Sequence, residues 1–487
     1  MFCERAQAQP ELFEATTPTA AGDTALFLVQ IPSSYDSQRP PAIIVGWHAL
    51  GGSESEIFAH PYSDLCEERG WILASHMGPN DRHWNTRLPQ LHCRAMLDYL
   101  KERYPFSPDS IYMCGGSMGG AAGQVWHNNN CAYDDYLIAA TAGGSQILDC
   151  QLRQEQYLAS GDTNRSMRAA FGGFPFESDS VAYEYHRYSA VHFADTSESM
   201  HFNSLTVPVL SSWGAEQFEW DAYGYAAQDY AVLRRFGAES FFGAASWQGH
   251  GFNILDAGLV CDWFSGYSAN RFPDTLALAA DEDGRYYYCD VVLGDSAYTF
   301  ARWDIRKEAG SKRIDIALLQ NVAALTVNFV FPWPELDTLR CHWQSIDPTG
   351  RTTNLTLRGL PARAVVSLDG VRAYRVSGDG ELTLHVSGDE EFELTFDERL
   401  AAEPFDLRLV SVYPNPVNSE FRLRVESFDR QLTTLDLYDI QGRIAKTTEV
   451  QLVPGLNELT VPVTGLTSGV YFVRTGDSAA IKVLLIR

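Results

Sequence analysis

The fold class that the sequence predicts is a mostly parallel α/β sheet covered on both faces, followed by two all-β sandwiches. Three observations predict it. From about Leu26 to Gly266, short continuous apolar runs alternate with helical stretches, as in strands that are buried on both faces. After about Ser268 the helical period disappears, and apolar residues recur at period two between turn signals, the mark of antiparallel strands with one buried face. The length of 487 residues accommodates about three domains at roughly 100–200 residues each.

In chain order, residues 1–23 read as a polar leader. They lack a cationic segment followed by an apolar one, although Ala6-Gln7-Ala8-Gln9 resembles the remnant of a signal-cleavage site. Within the α/β domain, residues 24–268, the expected strands are Leu26 to Val29, Ala42 to Val45, Ile72 to Ala74, Ile111 to Cys114, Leu137 to Ala140 and Val207 to Leu210. Helical patterns run from Leu91 to Arg103 and from Tyr223 to Phe236. Residues 146–206 lie between two of these strands and are too long for an ordinary connection, so they read as a lid or cap. In residues 271–398, Ile314, Ile316 and Leu318 alternate with Asp315 and Ala317, and Leu382, Leu384 and Val386 with Thr383 and His385. In residues 405–487, Phe421, Leu423 and Val425 alternate with arginines. Each stretch reads as a β-sandwich.

Lysine and arginine total 37 against 62 acidic residues, a net charge of −25, which disfavours nucleic acid as a partner. No apolar run reaches the ~18–20 residues of a membrane-spanning helix. None of the nine cysteines forms a CxxC pair, so a zinc ribbon or thioredoxin-like site is unsupported. Cys131 and Cys150 flank one expected strand and are candidate disulfide partners.

The sharpest chemical signal is Gly115-Gly116-Ser117-Met118-Gly119-Gly120, directly after the strand Ile111 to Cys114 and before a helical stretch through Val125 and Trp126. Strand, tight turn and helix form the context in which a G-x-S-x-G serine is presented as a nucleophile. A serine hydroxyl needs a base. His250, in Gln248-Gly249-His250-Gly251-Phe252, is the histidine that sits late in the α/β domain on a glycine-flanked loop. The carboxylate that orients it is expected in the loop after Val207 to Trp213. That loop offers Glu216 first, then Glu219, with Asp221 also in range; Gln217 stands where an aspartate is common. Oxyanion donors are expected at the Met118 amide and at the Leu50 amide, in the loop Trp47-His48-Ala49-Leu50-Gly51-Gly52-Ser53. His48 reads as a structural residue of that loop. Trp84 and Trp213 lie on loops at the same expected sheet edge and are candidate substrate-binding residues, with packing under a loop as the alternative.

In this order the motifs resemble the α/β-hydrolase superfamily. The WHALGGS loop is similar to the HG-x-x-GS oxyanion loop of polyhydroxybutyrate depolymerases and of feruloyl or acetylxylan esterases, with Ala49 where those have glycine. The GGSMGG turn occurs there and in prolyl oligopeptidase-like serine peptidases. The resemblance covers about residues 24–266 and implies a Ser117–acid–His250 triad with Met118 and Leu50 as oxyanion donors. The C-terminal stretch resembles a second family: VYPNPVNSEFRLRV, LDLYDIQGR, LTSGVYFVR and IKVLLIR match the type IX secretion sorting domain over about residues 407–487. This implies export, with the secretion machinery as partner and an extracellular or cell-surface location.

The leading expectation is a secreted serine ester hydrolase without metal or organic cofactor, acting on polysaccharide-linked acyl esters or polyesters. The alternatives are a prolyl oligopeptidase-like peptidase, which normally carries a propeller that has no room here, and a non-enzymatic binding protein. Trp303, Trp333 and Trp343 are candidates for glycan or polymer contact, against a role for residues 271–398 in bracing the catalytic domain.

Overall fold

The structure is a computed structural model that describes residues 9–234, 240–245, 249–308, 312–329, 338–345, 353–360, 365–368, 372–377, 379–386, 388–397, 407–427, 431–453, 455–475 and 480–486. The chain divides into two compact units. One is Met1–Asp304 with Leu319–Val322, the other Ile305–Leu318 with Ala323–Arg487.

The first unit is built on β1 (Glu11–Pro18), β2 (Thr24–Ile31), β3 (Ile43–Trp47), β4 (Ile72–His76), β5 (Ile111–Gly116), β6 (Ala140–Gly144), β7 (Val209–Gly214) and β8 (Ser240–Ala245). They form one sheet in the order β1-β2-β4-β3-β5-β6-β7-β8. The β1–β2 and β2–β4 pairs are antiparallel and the rest parallel. Side chains alternate between the two faces. Ile43, Val45, Ile111 and Met113 pack with Met96, Leu97 and Leu100 of α2 (Arg87–Arg103) and Trp126 of α3 (Ala122–Asn129). Ile44, Leu73, Tyr112 and Cys114 pack on the other side with Tyr62 and Cys66 of α1 (Tyr62–Arg69) and with Val260 and Phe264 of the helix Ala257–Phe264. This is the α/β-hydrolase fold class expected from the sequence.

Two details differ. Residues 11–18, read as leader, form the outer strand β1, in full register with β2 from Glu11↔Ile31 to Pro18↔Thr24. The strand buries one face only, through Phe13 and Ala15, so its sequence, ELFEATTP, carries little apolar signal. The strand expected at Leu137 to Ala140 forms at Ala140–Gly144, whose small residues, ATAGG, make no large apolar run.

Between β6 and β7 the expected lid is helical: α4 (Cys150–Ala159), α5 (Arg165–Phe171) and α6 (Asp179–Arg187), then short turns at Thr196–Glu198 and His201–Thr206. Residues after 268 brace it. Arg187 pairs with Asp281 at 2.5 Å, Tyr183 donates to the Asp281 carbonyl, and the Asn203 amide exchanges two hydrogen bonds with Ala279. Cys131 and Cys150 are separate, buried, free thiols rather than a disulfide. Trp303 is fully buried in the first unit; a side chain that faces the core cannot meet a polymer.

The second unit is all β. Thr338–Ser345 lies between Asp389–Asp397, antiparallel, and Arg313–Gln320, parallel. Thr353–Arg358 pairs with Val322–Asn328 and Glu381–Val386. The alternating residues Ile314, Ile316, Leu318, Leu382, Leu384 and Val386 are all buried, and so is Trp343; Trp333 lies outside the described residues. The C-terminal strands form a three-stranded and a four-stranded sheet around a core of residues from Val417 to Leu485. The D-x-x-G-R motif there is a turn. Asp439 accepts from the Gln441 and Arg443 amides and from the Arg443 guanidinium, while Gly442 takes φ +77°. The Asn of the PNP motif, Asn415, donates to the Lys482 carbonyl and accepts from the Leu484 amide, which pins the last strand.

Candidate active site

Ser117 follows β5 directly, at φ +53°, a backbone region that side-chain-bearing residues rarely occupy. The turn is possible because its flanking residues lack side chains. A Cβ on Gly119 would lie 2.3 Å from the Trp47 carbonyl oxygen, and one on Gly116 would lie 2.9 Å from the Gly251 Cα. The second contact shows that the histidine loop rests on the strand end beneath Ser117.

His250 precedes the 3₁₀ turn Gly251–Ile254, and its side chain is 44% exposed, as its glycine neighbours predict. Its Nδ1 donates to Glu219 Oε1 at 2.7 Å. The expected first choice, Glu216, is corrected here: it caps the helical turn Gln217–Glu219 with its side chain in solvent. Glu219, at the end of that turn, points inward and is only 2% exposed. Asp221 is exposed and bonded to Gln217. Glu219 Oε2 accepts from the Ser145 hydroxyl at 2.7 Å and from the Gly214 amide at 3.4 Å. Burial pushes the Glu219 carboxyl up. The hydrogen bonds from His250 and Ser145, the imidazole's charge and the Gly214 amide outweigh that and hold it below its ordinary 4.5.

Three residues at this site escaped the sequence reading. Ser145, at the C-terminal end of β6 with φ +50°, joins Glu219 to the His250 loop: its hydroxyl also accepts the Gly251 amide at 3.0 Å. Its only signal was a position just after Gly143-Gly144 at a strand end. Tyr223 lies with its ring 5.4 Å from that of His250. Arg153 of α4 donates to the Tyr223 hydroxyl at 3.1 Å. Burial pushes the Tyr223 phenol up to about 12, opposed by Arg153 and by the Ser117 hydroxyl. Neither Tyr223 nor Arg153 sits in a motif, since the lid and the helix after β7 meet only in three dimensions.

Among the described residues, neither the Met118 nor the Leu50 amide is engaged in a hydrogen bond, whereas the amides of Ala49, Gly51 and Gly52 are all taken up. His48 is buried and bridges the Ala49 and Met77 carbonyls, the structural role expected. Trp84 and Trp213 are 2% and 3% exposed and pack with Met118, Ile147, Met167, Phe171 and Tyr223. Trp84 Nε1 donates to Ser166 of α5 at 3.0 Å. Both thus pack between the sheet edge and the helices that follow β6.

Comparison with curated proteins returns no match. Among solved structures, the chain is similar to an S-formylglutathione hydrolase from Agrobacterium tumefaciens, at 10% identity over 53% of this chain and 94% of that one, with a TM-score of 0.37. It is similar to a fluorophosphonate-binding serine hydrolase from Staphylococcus aureus, at 14% identity over 52% and 98%, with a TM-score of 0.39. It is also similar to a putative dipeptidyl aminopeptidase IV from Bacteroides ovatus, at 12% identity over 54% and 36%, with a TM-score of 0.39. At these values the likeness carries no inference about chemistry. Residues 411–486 match the family model described as a secretion system C-terminal sorting domain, and the protein is accordingly one that is secreted or displayed at the cell surface.

Proposed function

We propose that the first unit is a serine ester hydrolase that works on carboxylic esters outside the cell. The observation that carries this reading is the buried Glu219 carboxylate on His250 Nδ1, on a loop packed against the strained turn that presents Ser117. With Nδ1–H donated to Glu219, the free nitrogen of His250 is Nε2, the end that serves as base. Ser117 Oγ attacks the ester carbonyl as His250 takes its proton. The Met118 and Leu50 amides receive the oxyanion. His250 returns the proton to the departing alcohol, and water then releases the acid from Ser117 by the same route. The substrate class is an acyl ester on polysaccharide or a polyester, chosen by the helical lid. No cofactor enters these steps.

The test is hydrolysis of a short p-nitrophenyl ester beside a prolyl p-nitroanilide, with wild type and Ser117→Ala. Ester turnover that vanishes in the variant supports the reading. Comparable amide turnover moves it to a peptidase, and no turnover of either by the wild type, with no fluorophosphonate label on Ser117, removes it.

A further inference from the structure

A second constellation lies in the lid. His186 lies in the last turn of α6, His192 follows in the next loop and Glu198 ends the turn Thr196–Glu198. The three offer ligand atoms within 4.8 Å of one another. The imidazoles are stacked, with ring centroids 3.9 Å apart and an interplanar angle of 21°.

The hydrogen bonds around them fix where the protons sit. Gln151 donates its amide NH₂ to Glu155 at 3.0 Å, which leaves the amide oxygen facing His186 Nε2 at 2.8 Å. An amide oxygen only accepts, so Nε2 carries the hydrogen and a neutral His186 has its lone pair on Nδ1. That Nδ1 faces Glu198 Oε2 at 3.6 Å. With His186 neutral, two acceptors thus oppose each other, and a cation between them would satisfy both. His192 Nδ1 is held by Asp149 Oδ2 at 3.1 Å, which places the hydrogen on Nδ1 and the lone pair on Nε2. Asp149 is itself fixed, since it caps α4 through Leu152 and accepts the Phe193 amide. Asp195 adds negative charge that acts on both imidazoles.

An acceptor on the far nitrogen of each imidazole is the outer-sphere arrangement that orients histidine ligands toward a metal. We propose that His186 Nδ1, His192 Nε2 and the Glu198 carboxylate form a divalent transition-metal site, with zinc as the ion that two imidazoles and one carboxylate suit best. Calcium and magnesium, which take all-oxygen ligand sets, do not fit. The stacked rings must rotate apart on binding, because lone pairs in two near-parallel ring planes cannot converge on one ion, and the ligand atoms must meet at roughly 3.3 Å around a tetrahedral ion at ~2.0–2.1 Å. The ion would tie together α6, the loop that carries His192 and the turn Thr196–Glu198, with α4 bracing the two imidazoles from outside. The spacing of these three residues belongs to no familiar metal motif, so the site is not legible in the sequence. The site is separate from Ser117 and stands whatever the chemistry there.

The test uses the full chain, stripped with a chelator and titrated with zinc by calorimetry and by thermal unfolding. The expected result is one high-affinity ion per chain and a rise in Tm. Glu198→Gln, at an exposed side chain that leaves the fold unchanged by circular dichroism, should weaken binding at least tenfold, as should His192→Ala. Gln151→Leu, which removes only the outer contact, should weaken it by about tenfold and by less than either ligand substitution. Cobalt in place of zinc should give tetrahedral visible absorption that Glu198→Gln alters. Absence of saturable binding by the folded chain, or binding that neither Glu198→Gln nor His192→Ala changes, overturns the proposal.

Discussion

Glu219 is the residue on which the candidate site turns, because burial makes its charge costly unless every lone pair is used. Its oxygens meet His250, Ser145 and Gly214, so replacing the carboxylate by an amide changes which groups can be satisfied. Glu219→Gln is expected to lower ester turnover by roughly 10³–10⁴-fold, because an amide can stabilise neither the Nδ1–H tautomer nor the imidazolium. Glu216→Gln, in solvent, should stay within about twofold of wild type; the reverse ranking would return the role to Glu216. The same carboxylate sets a pH dependence of stability. Its folded-state value lies below 4.5, so its contribution is complete above 4.5 and is lost as pH falls through the lower folded value. The difference in urea midpoint between wild type and Glu219→Gln should therefore shrink as pH falls from 4.5 through the lower folded value. A gap that widened in acid would contradict the depressed value.

At the scale of elements, what is legible in the sequence is what neighbours in the chain decide. Ser117 was readable because strand, turn and helix are contiguous. His250 was readable because its glycines are adjacent. The acid was not resolved, since Glu216 and Glu219 differ only in how the turn Gln217–Glu219 and the π-type turn Trp220–Gly224 project them. β1 was missed because an edge strand buries half the apolar surface of a central one. The contacts that dock the lid were invisible for the same reason: Asp281 and Arg187 are remote in sequence and pair with side chains 4% and 14% exposed. Asp281→Ala removes one partner of a buried, hydrogen-bonded pair and is expected to destabilise the first unit by about 3–5 kcal/mol. Arg39→Ala, whose pairing with Asp36 is exposed, should cost less than about 1 kcal/mol. Urea unfolding of the two variants measures both, and equal effects would mean that the Arg187–Asp281 pair does not hold the lid.

At the scale of the whole molecule, the C-terminal strands have a core of their own. Val417, Phe421, Leu423, Val425, Leu435, Leu437, Val461, Val473, Val483 and Leu485 pack with one another, and the motif residues Asn415, Asp439 and Arg443 serve turns and strand ends within the same stretch. The residues that match the sorting family are thus the ones that make this small sandwich fold, which is why a short sequence pattern identifies it. Ser117, His250 and Glu219 all belong to the first unit. Export and catalysis should therefore separate. In a host that has the secretion system, a chain ending at residue 404 is expected to remain inside the cell envelope while the purified protein keeps ester turnover within about twofold of the full chain. Activity assays on culture medium and on cell lysate measure the two outcomes independently. Export of the shortened chain would remove the sorting role from the C-terminal sandwich. Loss of turnover with intact thermal unfolding of the first unit would show that the sandwich serves catalysis as well as transport.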